Sequence, residues 1–233
     1  MRASLAAVVA AAGLSLVAGC GSGSSGGDNP LVQSSNTPSA TTAAGGVNCG
    51  AAPSKSPSGQ QFAAEPKVTV APATYTATIV TNCGTIVAAL DATKAPHTVN
   101  SFAFLASHHF FDNTPCPRVV TSGIYVLQCG DPKGDGTGGP GYTIPDENLT
   151  GATYPAGTLA MANTGQPHTG GSQFFICYAD TPLPPQYTPF GHVTQGLDVL
   201  KGIAANGDDG SNPAGGGHPK QPVYILSFTV AKG

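Results

Sequence analysis

From Val68 onward this sequence is written in short runs that alternate apolar and hydroxylated side chains, each cut off by glycine, proline or asparagine. Tyr75-Thr-Ala-Thr-Ile-Val80 is one such run, Thr81-Asn-Cys-Gly84 is a turn signal, and Thr85-Ile-Val-Ala-Ala-Leu90 returns as the second arm of a hairpin. Successive strand residues face opposite sides of a sheet, so alternation of this kind marks a half-buried strand. With 32 Gly and 21 Pro in 233 residues, turns and short strands are favoured over long helices.

Further strands are expected at Val68-Thr-Val70, Arg118-Val-Val120, Tyr125-Val-Leu-Gln128, Thr158-Leu-Ala-Met-Ala162, Gln173 to Tyr178 and Pro222 to Val230. Arg118–Val120 and Tyr125–Gln128 read as a hairpin across Thr121-Ser-Gly123. Two helices are expected. Ala95–Leu105 carries Pro96 in its first turn and aligns Val99, Phe102 and Leu105 on one face; Gln195–Ala204 is shorter. Many short strands with two helices predict a mainly β fold, a small closed antiparallel barrel with a helix over each end.

The first residues read as an address. Met1-Arg2 precedes an apolar run from Leu5 to Val17, which is too short to span a bilayer comfortably. The run ends in Leu16-Val17-Ala18-Gly19-Cys20, which resembles a bacterial lipobox. That resemblance implies a signal peptide over 1–19, cleavage before Cys20, acylation there, and an extracytoplasmic protein anchored to the cell membrane by lipid. From 21 to about 66 the chain is Gly, Ser, Thr, Ala, Pro and Asn with few large apolar residues, so 20–66 is expected to be a flexible tether and 67–233 the folded domain. Cys49, Cys83, Cys116, Cys129 and Cys177 remain, an odd number, in a compartment that permits disulfides. Cys116 and Cys129 lie on the two arms of one hairpin and could face each other, with Cys83 able to compete for either; Cys49 could pair between chains or stay free.

Candidate chemistry centres on Arg118, Gln128, Asn163 and Gly171-Ser-Gln-Phe-Phe-Ile176. One guanidinium, amide side chains and two aromatics lie among β-type segments, without a nucleophile–base pair or a metal-ligand cluster beside them. Such a set can hold a neutral, extended peptide and polarise one amide, and it is poorly equipped for hydrolysis. Phe174 and Phe175 face opposite sides of their strand, with Phe174 expected in the core. A net charge of -3 and a pI ≈ 6.0 offer no basic stripe to nucleic acid. Gly134-x-Gly-x-x-Gly139 matches a dinucleotide fingerprint only formally, because Pro140-Gly141 follows where a helix is needed. His108-His109 suits the end of the first helix better than a metal, and Asp146-Glu147, adjacent and facing apart, suits loop fixation better than paired-carboxylate catalysis.

Taken together, these residues resemble the cyclophilin family of peptidyl-prolyl cis–trans isomerases. The resemblance is carried by Ala95-Pro-x-Thr-Val-x-x-Phe102, Arg118-Val-Val120, Gln128-x-Gly-Asp131, Gly136-Thr-Gly-Gly139, Asp146-Glu-Asn148, Met161-Ala-Asn163, Gly171–Ile176 and Phe190-Gly191, in the family's order. It covers roughly Val68 to the C-terminus and implies a closed eight-stranded antiparallel barrel with two capping helices. It further implies a monomer that acts on proline-containing polypeptides and assists their folding without a cofactor or metal. Arg118 then matches the catalytic arginine. Tyr125, Val126, Phe175, Leu183 and Tyr187 match the proline pocket, and Gln128, Ala162, Asn163 and Gln173 match the groove that grips the flanking peptide.

There are departures from the family pattern. The segment between Arg118 and Tyr125 is about two residues longer than usual, Cys116-Pro117 precedes the arginine, Val126 replaces a methionine, and Tyr187 stands where many members have histidine. Pro182 lies near the tryptophan position of cyclosporin-sensitive members, and the chain has no Trp, which implies weak cyclosporin binding. The altered approach to Arg118 keeps open a second role, a catalytically weak proline-peptide binding module.

Overall fold

The computed structural model describes residues 45–233, all within one compact unit. In chain order the elements are β1 (Thr74–Thr81), β2 (Gly84–Asp91), α1 (Pro96–Ser107), β3 (Thr114–Pro115), β4 (Arg118–Val120), β5 (Val126–Cys129), β6 (Thr158–Met161), β7 (Phe174–Cys177), β8 (Pro189–Gln195), α2 (Leu197–Ala205) and β9 (Tyr224–Lys232). All strands join one antiparallel sheet in the order β3-β9-β1-β2-β8-β6-β7-β5-β4.

The expected closed eight-stranded barrel is corrected to an open half-barrel of nine strands. Its two terminal strands, β3 and β4, are successive stretches of one chain segment separated by Cys116-Pro117. The sheet fails to close there for a covalent reason. Pro115 and Pro117 have no N–H to give a ladder, and the Cys116 N–H between them donates to Val223 O at 2.8 Å. A disulfide between Cys116 and Cys129 spans the same place, tying the start of β4 to the end of β5.

The hollow of the sheet is filled by aromatics. Phe102 from α1 lies between Phe111 and Phe190 at ring-centroid distances of 5.2 and 4.7 Å, and Phe174 and Phe228 close the group at 5.4 and 5.9 Å. Each of these rings is fully buried, and burial on this scale contributes roughly 1.5–3 kcal/mol per side chain. α1 starts without a capping side chain of its own. Glu147 supplies the missing acceptor from afar, taking the N–H groups of His97 and Thr98 at 3.0 and 2.9 Å and the Thr98 hydroxyl at 2.8 Å. Asp146 accepts from His168 N, so this acidic pair fixes loops, as the sequence suggests. His108 Nδ1 lies 2.8 Å from the late carbonyl of Phe104.

Four segments differ from expectation. Val68–Val70 is not a strand, because the Thr69 N–H goes to Asn100 Oδ1 and the Ala71 N–H to the Tyr75 hydroxyl. β8 and the short β3 were not expected, since Pro189, Gly191 and the partly exposed β8 pattern hide the alternation. The part of the expected flexible tether that is described, residues 45–66, has no helix or strand but lies on the domain. Cys49 is bonded to Cys83, Val47 N donates to Gly202 O, and Phe62 packs edge-on to Phe104 at 4.8 Å. A few anchors and a covalent tie offset the ordering cost of a segment with few large apolar residues. Cys20 and the expected signal peptide lie outside the described residues.

Candidate peptide groove and its family

Register assigns the two faces of the sheet. Val119, Leu127, Ile176 and Leu159 are paired across β4, β5, β7 and β6, and all four point into the main core. Their neighbours must therefore face outward. The outward row is Arg118, Gln128, Phe175 and Ala160, flanked by the row Val120, Val126 and Cys177. Here a second apolar cluster, separate from the core, gathers Val120, Val126, Tyr154, Ala160, Phe175 and Cys177, with Ile124, Ala152, Ala162, Leu183 and Tyr187 packed against it. Phe174 lies in the core and Phe175 in this cluster, as alternation requires.

The fold therefore brings Val126, Phe175, Ala162, Leu183 and Tyr187 together, and sets Arg118 and Gln128 in line with Phe175. Tyr187 stands edge-on to the Phe175 ring at 5.5 Å. Tyr125 is the exception among the expected pocket residues. It packs against the main core and the Tyr178 ring, 5.9 Å away, and it borders a separate cavity of about 540 Å³ beside Tyr154 and Pro182. Two neighbours on one extended segment cannot both face the groove, and Val126 takes that face; Ile124, one residue before Tyr125, fills the wall.

The polar side of the groove is a relay of hydrogen bonds. Arg118 Nη1 donates to Gln128 Oε1 at 3.4 Å, Gln128 Nε2 donates to Gln173 Oε1 at 2.9 Å, and Gln173 Nε2 donates to the carbonyls of Gly136 and Gly138 at 3.0 and 2.9 Å. Arg118 also gives its Nε–H to Gly215 O and an Nη2 hydrogen to Ala214 O, each at 3.0 Å. Partial burial pulls its pKa below the usual value, while Tyr187 acts in the opposite sense; a guanidinium keeps its proton under such a shift. Asn163 Nδ2 holds Gln186 O at 2.8 Å, and its Oδ1 accepts from Gly165 N. The backbone N–H and C=O of Asn163 have no hydrogen-bond partner among the described residues, which leaves both for an extended peptide.

Sequence reasoning missed Val120, Ile124, Ala152, Tyr154 and Cys177. Alternation from Arg118 points to Val120, but Tyr154 stands on an isolated bridge to Thr181 with no periodic signal around it. Its hydroxyl donates to Tyr187 O at 2.8 Å and accepts from Tyr187 N at 3.0 Å, holding that wall residue by its backbone. Cys177, the free cysteine among the described residues, is buried and its thiol is pushed up to about 11, chiefly by desolvation.

A half-barrel with an apolar cup, an arginine and a row of amides on its outer face has the shape and the donors to hold an extended peptide. The chain belongs to the cyclophilin type peptidyl-prolyl cis-trans isomerase family, whose description also names CLD and whose pattern matches residues 76–230. It is similar to the probable peptidyl-prolyl cis-trans isomerase B of Mycobacterium leprae, 47% identical over 191 residues that cover 71% of this chain and 63% of the relative. The protein of the same name from Mycobacterium tuberculosis is 46% identical over 177 residues, covering 70% and 56%. The chain thus spans about three fifths of the length of these curated relatives. Among solved structures, a cyclophilin type peptidyl-prolyl cis-trans isomerase from Cryptosporidium parvum superposes with a TM-score of 0.61 at 28% identity, covering 69% of this chain and 99% of that one. A second structure of that protein, obtained in the presence of the dipeptide Ala-Pro, gives 0.60 at 29% identity over 68% and 99%.

Proposed function

We propose that this protein is a peptidyl-prolyl cis–trans isomerase that accelerates X–Pro rotation in extracytoplasmic polypeptides and so assists their folding. The observation that carries the reading is the register row that aligns Arg118, Gln128 and Phe175 beside a second apolar cluster. Family membership and the likeness to a structure obtained with Ala-Pro support it. The proline ring enters the cup of Val126, Phe175, Leu183 and Tyr187, and the residues before it lie along Gln128, Ala162 and Asn163.

Resonance opposes twisting of the peptide bond with a barrier of about 18–20 kcal/mol. As the bond twists, the lone pair localises on the prolyl nitrogen and becomes an acceptor. Arg118 donates to that nitrogen more strongly in the twisted state than in the planar one, which is differential binding of the transition state. A guanidinium has five N–H donors; the bonds to Gln128, Ala214 and Gly215 leave two for the substrate. The apolar cup excludes water and strengthens this contact. A thousandfold acceleration needs roughly 4 kcal/mol, within reach of one charged donor in a desolvated site. Rotation moves no atom or electron between molecules, so the chemistry needs no cofactor.

Attachment by an acylated Cys20, with signal peptide 1–19, completes the proposal, and its support is the sequence pattern alone. Labelling of the protein by a radioactive fatty acid, lost in Cys20→Ala, is the expected result. The activity is tested by a proline-isomerisation assay on wild type, Arg118→Ala and Arg118→Lys. Acceleration by wild type that falls at least about hundredfold in both variants supports the mechanism. If the ties of Arg118 to Ala214 and Gly215 hold it back from the prolyl nitrogen, the protein is a proline-peptide binding module. Peptide binding without acceleration by wild type identifies that case.

A further inference from the structure

The segment Gly207-Asp-Asp-Gly-Ser-Asn-Pro-Ala-Gly-Gly-Gly217 has the composition of a loose loop, yet the fold knots it at every turn. Asp209 Oδ1 accepts from Ser211 N at 3.0 Å and from His218 N at 2.8 Å, while Asp209 N donates to His218 O at 3.1 Å. Gly217 pairs with Val119 of β4 in both directions, at 2.9 and 3.1 Å. The loop lies hard against its neighbours. A Cβ on Gly216, where φ is +70°, would fall 2.1 Å from Val119 O, and one on Gly217 would fall 2.1 Å from Asp209 Oδ1. The tip of this knot presents the carbonyls of Ala214 and Gly215 to the guanidinium of Arg118, the residue next to Val119.

We propose that the 207–217 loop is a positioning device for Arg118 and that Asp209 is its keystone, acting on the reaction through the arginine without touching substrate. The proposal rests on the reading of Arg118 as the catalytic donor. Arg118 is long and only partly buried, and its one side-chain partner among the described residues, Gln128 at 3.4 Å, holds it loosely. Two carbonyls on a separate element fix the rotation of its planar head, which decides where the two remaining N–H groups point. Both bonds that Asp209 accepts fall on one oxygen, so an asparagine at 209 keeps them and an alanine removes them.

The test compares wild type, Asp209→Ala, Asp209→Asn and Gly216→Ala in the isomerisation assay, with circular dichroism to verify folding and NMR of the Arg118 Nε–H group. Asp209→Ala is expected to lower kcat about tenfold to hundredfold, the scale of a misplaced catalytic group. Its KM should change little, and its Nε–H resonance should move toward that of a free arginine. Gly216→Ala is expected to behave alike, and Asp209→Asn to stay within about twofold of wild type. The proposal is overturned if folded Asp209→Ala keeps the wild-type kcat, if its kcat falls while the Nε–H signal stays in place, or if Asp209→Asn falls as far as Asp209→Ala. Should wild type itself show no acceleration, the catalytic reading fails separately; the Nε–H signal then decides the positioning claim, a shift in Asp209→Ala upholding it and no shift refuting it.

Discussion

Replacing Tyr154 by phenylalanine removes one oxygen atom and should loosen the groove wall that holds Tyr187. Tyr154 is 2% exposed, and its hydroxyl spans the backbone of Tyr187, donating to the carbonyl at 2.8 Å and accepting from the N–H at 3.0 Å. The ring is kept, so no cavity forms, and the cost is confined to the two bonds. Each is worth about 1 kcal/mol net, with a larger penalty where the orphaned group stays dry. Tyr187 is half-buried, so water reaches part of its backbone, and a total of about 2 kcal/mol follows. For a domain of this size that lowers the melting temperature by roughly 4–8 °C. Functionally, Tyr187 is free to tilt away from Phe175, so KM for a proline peptide should rise several-fold while kcat changes little, since Arg118 is untouched. Tyr187→Phe is the control. Its hydroxyl has no hydrogen-bond partner among the described residues, and its stability should stay within about 0.5 kcal/mol of wild type. Calorimetry and the isomerisation assay read both variants. Melting of Tyr154→Phe within about 1 °C of wild type, with an unchanged KM, would refute the claim that this hydroxyl holds the wall.

Three further outcomes are expected. Mass analysis without reduction should find Cys49 joined to Cys83 and Cys116 to Cys129, and removing the shorter bridge, which closes a separation of 13, should cost about 3 kcal/mol and blunt activity by freeing the Arg118–Gln128 hairpin. Native protein should resist thiol alkylation at Cys177. Because its folded thiol is raised to about 11, the contribution is fully present below the ordinary thiol value and is lost as pH rises toward 11, so alkylation should appear only on denaturation or at strongly alkaline pH. The pH profile of kcat/KM should be flat between about 6 and 9, because the donor is a guanidinium and no proton is transferred; a bell-shaped profile would mean that an acid or base takes part.

Much of this site could be read in the chain because its chemistry lies on strands whose alternation is regular. From Arg118 and Phe175 the period of two leads to Val120, Val126 and the inward Phe174. Applied strictly, the same rule would have removed Tyr125 from the cup, because it adjoins Val126. Other parts are set by contacts between residues far apart in sequence, which no local pattern carries. Tyr154 reaches Tyr187 from an isolated bridge outside the strands, Glu147 caps a helix that begins at Pro96, and Ala214 and Gly215 hold an arginine nearly a hundred positions earlier. The open sheet was hidden for a different reason. Pro115 and Pro117 are plain in the sequence, but only the pairing of β3 with β9 and β4 with β5 shows that the seam falls between them. Composition misled at residues 45–66, where a disulfide and Phe62 outweigh a run of small polar residues.

The central claim is that this groove rotates X–Pro bonds, and exchange NMR on a short Ala-Pro peptide tests it most directly. Uncatalysed exchange takes tens of seconds and gives no cis–trans cross-peaks at a mixing time of about one second. Wild-type protein at substoichiometric concentration should produce those cross-peaks, and Arg118→Ala should shift the peptide resonances without producing them. Peptide resonances that shift with wild type while the two isomers fail to exchange would contradict the account and leave a protein that binds proline without turning it.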